Sequence, residues 1–130
     1  IPGIGLYSAS KHAVRAYSLV LAEELRDSGV AVTVICPDAI ETPMLVLQED
    51  FEEAAMTFSG SAPLTVKDIS RVVFGRVLKD RPVEVGIPPG RSFLARLAGA
   101  FPAVSRLLTR VLRRRGLRTQ QERRRRRGLD

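Results

Sequence analysis

The sequence predicts an α/β fold, a parallel sheet covered by helices and continued by a basic helical tail. Three observations predict it. A helical stretch over residues 8–27 leads through Ser28 and Gly29 into the β-branched run 30–36. That run is nearly apolar throughout, as in a parallel strand buried on both faces. A second unit repeats the order, with Val66, Ile69, Val72, Val73 and Val77 at helical spacing before a short strand at 83–87. After Gly90 the character changes: Leu94, Leu97, Phe101, Val104, Leu108 and Val111 step by 3, 4, 3, 4 and 3 residues, an apolar stripe among arginines.

Each element has a local reason. Residues 1–6, with Pro2-Gly3, read as a glycine-rich loop entering the first helix. Ala13, Tyr17, Val20, Leu21, Ala22 and Leu25 supply its face for burial, and Gly29 its stop. Residues 37–42 leave the carboxyl end of the first strand, where ligands of parallel sheets sit. Residues 43–58 mix Met44, Leu45, Leu47, Phe51 and Phe58 with Glu49, Asp50, Glu52 and Glu53, an apolar lining with an acidic face. Thr65, three residues before Asp68, starts the second helix. Pro102 divides the stripe into two short helices, because proline removes a helical hydrogen bond. The last segment, 116–130, carries Arg123 to Arg127 in succession, and like-charge runs of this kind are expected to be disordered. Three regions follow: 1–90, the amphipathic basic helices at 91–115, and the arginine-rich tail at 116–130.

The chemistry is concentrated at the start of the first helix, Tyr7-Ser8-Ala9-Ser10-Lys11. Residues four apart stand one turn above each other on one helix face. A nearby ammonium favours the ionised form of a phenol, so such a pair can give or take a proton at an alcohol or carbonyl oxygen. The lysine keeps three donors for other partners, such as sugar hydroxyls. His12 is the single histidine, with no Cys or acidic cluster beside it, and reads as a solvated helix residue rather than a metal ligand. Cys36 is the single cysteine, which excludes an intrachain disulfide and leaves an inert strand thiol.

This run, with Ala13-Val14, Leu21-Ala22-Glu23-Glu24-Leu25, the strand at 30–36 and Pro37-Asp38-Ala39-Ile40-Glu41-Thr42-Pro43-Met44, resembles the short-chain dehydrogenases/reductases. The resemblance is close over residues 1–45, extends to about 90, and implies the C-terminal part of a doubly wound, Rossmann-type sheet. It implies Tyr7 as the acid/base for the substrate oxygen and Lys11 as the group holding the nicotinamide ribose. Pro37, Asp38, Ala39, Ile40 and Thr42 would form the cofactor loop with Tyr7 and Lys11, and 43–58 a mobile lid. NAD or NADP is implied as cofactor, with no residue to choose between them. The family usually has glycine where Asp38 stands, which raises a question about the geometry of that loop. The family's glycine-rich dinucleotide loop, Asn and catalytic Ser fall before Tyr7, and Ser8 and Ser10 do not replace them. The expectation is therefore the C-terminal half of an NAD(P)-dependent alcohol/ketone oxidoreductase. It would lack the dinucleotide-binding half and be inactive by itself.

Charge divides the chain. Residues 1–90 hold eight Lys/Arg against twelve Asp/Glu, while residues 91–130 hold thirteen Arg against two acids, within an overall net charge of +7. A basic amphipathic helix suits an anionic membrane surface, a partner's groove, or the protein's own body. The rival to the enzyme is a non-catalytic relative acting as a membrane-surface or partner-binding module through this tail. A specific nucleic-acid partner is not expected, because no aromatic follows Phe101 to stack on bases. No stretch of 18 apolar residues offers a membrane span. The expected partners are a small alcohol or ketone, apolar or lipid-like, and a second copy packed on the Tyr7–Lys11 helix. The expected location is cytoplasmic, peripheral at a membrane. The chain begins at Ile1 rather than Met, which adds the expectation of a missing N-terminal portion.

Overall fold

The structure, a computed structural model, describes residues 4–128. The loop expected at Pro2-Gly3, the last two tail residues and the Val104 side chain lie outside the described residues. The order is α1 (Gly5–Glu24), β1 (Val34–Pro37), α2 (Pro43–Gln48), a 3₁₀ segment (Glu52–Ser59) and α3 (Val66–Val72). A π turn (Val73–Val77) leads on to α4 (Leu78–Asp80), β2 (Glu84–Ile87), α5 (Pro89–Ala100) and α6 (Pro102–Arg126).

The fold is α/β, with a small parallel sheet and C-terminal helices. β1 and β2 pair in parallel, Val34 opposite Glu84 and Pro37 opposite Ile87. The helical stretch α3–α4 forms the crossover, as parallel strands require. Among the described residues the sheet has two strands, too few to display the doubly wound order expected from the sequence. β1 is also shorter than the apolar run 30–36. Its ladder begins at Val34 because its partner strand begins at Glu84. Just before it, the Thr33 hydroxyl donates to the Pro82 carbonyl at 2.6 Å.

Local signals act as the sequence leads one to expect at three places. Gly29 has φ +81, a left-handed conformation that glycine takes without a Cβ clash, and it ends the turn after α1. Thr65 and Asp68 form a reciprocal capping box at the start of α3. That double hydrogen bond from Thr65, followed by the Arg71 contact, holds the Asp68 carboxyl below its usual range. Pro102 begins α6 at its first turn, where no N–H is needed, so the stripe breaks into two helices at Phe101.

The core lies elsewhere than the first helix. Val85 and Ile87 of β2 are buried, together with Leu45, Ala54, Ala55 and Phe58. α1 buries no residue: Leu21, Ala22 and Leu25 are half-buried, whereas Ala13, Tyr17 and Val20 are exposed.

The arginine-rich tail departs most from expectation. Residues 116–126 are helical rather than disordered, because α6 packs along the 3₁₀ segment and meets acids there. Gly116 is buried against this segment, and a Cβ on it would stand 1.9 Å from the Ala55 carbonyl oxygen. Gly116→Ala should therefore cost about 1–3 kcal/mol by overpacking. Urea unfolding would show it as a lower midpoint, and an unchanged midpoint would mean that α6 is not docked at this point.

Candidate active site

Tyr7 and Lys11 lie on the first two turns of α1, where the four-residue spacing stacks them. Lys11 Nζ sits 5.3 Å from the centroid of the Tyr7 ring, a cation–π contact, and Tyr7 remains 46% exposed. The intervening serines are occupied locally or half-buried. Ser10 Oγ donates to the Tyr7 carbonyl at 2.8 Å, and Ser8 offers its carbonyl to His12 Nδ1 at 2.8 Å. His12 is thus an exposed residue bonded within its own helix. Among the described residues no His/Cys/Asp/Glu group could hold a metal ion.

Arg15 continues the row one turn further, a placement that sequence reasoning missed. Its Nε and Nη2 donate to Glu84 Oε1 and Oε2 at 2.8 and 2.7 Å, a two-pronged bridge from α1 to β2. Arg96 of α5 reaches the same carboxylate at 2.9 Å. The Arg15 hydrogen bond, opposed by burial and supported by Arg96, holds the Glu84 carboxyl below its usual range. Arg15 is correspondingly raised. Cys36 Sγ also faces Glu84 Oε1, at 3.7 Å, and burial first, then this carboxylate, push the thiol up. This bridge ties α1 to β2 and limits the rotation of the helix on the sheet. The signal for it in the sequence is Tyr7, Lys11 and Arg15 at a constant spacing of four.

Residues 37–42 leave the carboxyl end of β1 as expected. The Asp38 N–H donates to the Ile87 carbonyl at 2.8 Å, extending the ladder by one bond. Leu64 N–H donates to Ala39 at 2.7 Å, and Glu41 N–H to Leu64 at 2.8 Å. Thr42 begins α2, and its hydroxyl donates back to the Ile40 carbonyl at 3.3 Å. Asp38 resolves the question its position raised. Its backbone does not take a positive φ, and its carboxylate pairs with Arg91 Nε at 2.5 Å. Arg91 in turn donates to Ser59 Oγ at 2.7 Å. An aspartate here anchors the start of α5, where a glycine would leave Arg91 without its acid.

The structure brings Tyr7 and Lys11 together, and brings Pro37 to Thr42 together. No hydrogen bond or ion pair joins the two groups among the described residues. A cavity of about 30 Å³ lies beneath the loop, lined by Asp38, Ala39, Phe58, Pro63, Thr119 and Arg123. That volume suits about one water, so a nicotinamide ring would have to lie on the loop's open side. An open apolar depression adjoins Thr42, formed with Glu41, Pro43, Val46 and Leu47. The fit to a nicotinamide nucleotide rests on free donors. The Ile40 N–H donates to no acceptor among the described residues, and the Lys11 ammonium has no acidic partner there.

The segment after the loop is clamped. Glu49, with no exposed side-chain surface, accepts from Arg123 Nε at 2.7 Å and Arg127 Nη1 at 2.8 Å. Burial alone would raise its carboxyl, but the bonds from the two arginines outweigh it and hold the group below its usual range. Arg123 also reaches Glu41 at 2.7 Å, and its own value is raised by that bond against burial. Gln120 Nε2 donates to the carbonyls of Gln48, Glu49 and Phe51 at 2.9, 3.1 and 2.8 Å.

Comparison with known proteins finds similarity over part of the chain. The family model of the short chain dehydrogenases matches residues 1–53. Over 79 residues the chain is 33% identical to 1-deoxy-11-beta-hydroxypentalenate dehydrogenase of Streptomyces exfoliatus, covering 61% of this chain and 27% of that protein. Over 41 residues it is 44% identical to diacetyl reductase [(S)-acetoin forming] of Staphylococcus epidermidis, covering 32% and 16%. The chain thus spans about a quarter or less of the length of these relatives. No solved structure matches it. At the level of the family, these similarities support enzymatic, NAD(P)-dependent chemistry at CH–OH groups. They also correct two expectations. The family match falls in residues 1–53, the N-terminal region of the chain, and stands at family level. It does not mark the chain as a C-terminal half alone, nor as a fragment lacking the dinucleotide-binding half.

Proposed function

We propose that the protein interconverts an alcohol and a ketone with NAD or NADP, and that Tyr7 handles the proton of the reacting oxygen. The observation that carries this reading is the Tyr7–Lys11 stack, exposed on α1 inside the segment that matches the dehydrogenase family. A bound nicotinamide would supply or accept the hydride at the substrate carbon. The Tyr7 hydroxyl hydrogen-bonds the carbonyl oxygen and gives it a proton in reduction, taking it back in oxidation. Lys11 offers its ammonium hydrogens to the ribose hydroxyls. The Ile40 N–H and Thr42, in the loop with Pro37, Asp38 and Ala39, hold the carboxamide end. In this reading β1 and β2 are one parallel unit of a doubly wound sheet.

The apolar depression beside Thr42 favours an uncharged, apolar ketone. Val14, Tyr17 and Val20, exposed along α1, favour a second copy of the chain on that helix. The setting we infer is cytoplasmic, with access to a membrane surface.

Nucleotide absorbance under turnover tests the reaction. Consumption of NADH or NADPH is expected with uncharged ketones and is weaker with anionic ones. Absence of turnover with either nucleotide across both ketone classes, together with no saturable change in nucleotide fluorescence, would overturn it.

A further inference from the structure

We propose that the outward faces of α5 and α6 form a docking surface for an anionic lipid bilayer. Many arginines after Gly90 are already engaged inside the protein. Arg91 pairs with Asp38, Arg96 with Glu84, Arg113 with Glu52, Arg124 with Asp50, and Arg123 and Arg127 with Glu49. Arg106, Arg110, Arg114 and Arg118 are different. All four are exposed, and among the described residues none has an acidic partner.

Their spacing of four turns them only about 40° per step, so they form one strip along α6. Arg114 and Arg118 stand two residues before Gly116 and Gln120, about 200° away around the helix. Gly116 and Gln120 are buried against the 3₁₀ segment and its neighbours. Arg114 and Arg118 therefore face solvent, held outward by the packing of the opposite side, and the exposed Arg110 and Arg106 continue the strip towards the start of the helix.

α5 presents a complementary feature. Its inner side is fixed by Ser92 against Gly86 and by the pairs of Arg91 and Arg96. Phe93, Leu97 and Phe101, spaced by four, with Leu94 beside them, fall on the opposite side. Phe93 is 63% and Phe101 57% exposed. α5 and α6 are consecutive and meet at Phe101, so the apolar row runs up to the start of α6. An exposed row of Phe and Leu next to a strip of unneutralised guanidiniums matches hydrocarbon beneath phosphate headgroups. A nucleic-acid duplex would satisfy the arginines but leave the apolar row in water. A second copy would cover the apolar row but bring a second strip of arginines towards the first.

Co-sedimentation with vesicles tests the surface on the intact protein. Binding is expected to phosphatidylcholine vesicles containing phosphatidylglycerol, and should fall at least about tenfold on pure phosphatidylcholine or in high salt. The combined Arg110→Gln, Arg114→Gln, Arg118→Gln variant should bind anionic vesicles about 10²-fold more weakly. Leu97→Ser with Phe101→Ser should weaken binding at least about tenfold. Circular dichroism should stay unchanged in the arginine variant, whose side chains are exposed. Equal binding to neutral vesicles would overturn the proposal, as would anionic binding indifferent to the arginine variant. So would undiminished binding by the Leu97/Phe101 variant, or its displacement by a short duplex, either of which would make the strip a general polyanion site. Loss of a dimer in the Leu97/Phe101 variant, with no vesicle binding by the parent, would assign the face to a second copy instead.

Discussion

Tyr7→Phe should lower turnover by about 10²-fold or more while leaving the fold and the Lys11 contact in place. Phenylalanine keeps the ring over which Lys11 sits at 5.3 Å, and Tyr7 is already exposed, so no packing is lost. What disappears is the oxygen that exchanges a proton with the substrate in the proposed reaction, and a lost acid/base costs about 10²- to 10⁴-fold. Lys11→Met should act differently, raising the KM for the nucleotide as well as lowering kcat, because its donors would face the ribose. His12→Ala should leave both constants near the parent values, since His12 is bonded to the Ser8 carbonyl within its own turn. Steady-state kinetics of the three variants would separate these outcomes. Near-normal turnover in Tyr7→Phe would remove Tyr7 from the chemistry.

The parts of the fold that proved legible rest on short-range physics. Gly29 ends the first helical turn region through its own backbone, Thr65 and Asp68 cap each other three residues apart, and Pro102 breaks the stripe by lacking an N–H. The parallel pairing of β1 with β2 could also be read, because an apolar strand, a helix and a second strand leave little other choice. The Tyr7–Lys11 stack follows from helix geometry alone.

What escaped the sequence depends on partners far along the chain. The arginine run looked disordered because a helix face is usually sought as apolar periodicity. Here the docking face of α6 is Gly116, Gln120, Arg123 and Arg127, which no hydropathy pattern reveals. Its complement is the acidic stretch with Glu41, Glu49, Asp50 and Glu52, more than sixty residues earlier. Opposite charge in those two stretches was visible, and their contact was the inference to draw from it. The Arg15–Glu84–Arg96 cluster escaped for the same reason, since it joins three elements that no local rule brings together.

Arg123→Ala should destabilise the protein by about 3 kcal/mol or more, the usual consequence of stripping a partner from a buried carboxylate. Glu49 has no exposed side-chain surface and would lose one of its two guanidinium contacts, keeping that of Arg127, while Glu41 would lose the Arg123 guanidinium as well. Glu49→Gln is the informative companion, because it removes the charge while keeping the shape. The acidity of the site sets the sign of the pH dependence. The folded-state value of Glu49 lies below its ordinary 4.5. Its ionised form therefore adds stability that is fully present above the ordinary value, and that is lost as pH falls through the depressed one. Urea unfolding from neutral pH downward should show the parent losing stability across that acid range. Glu49→Gln should start less stable and have a flatter profile. Parallel profiles for the two proteins would show that the Glu49–Arg123–Arg127 clamp does not set the acid limit of this fold.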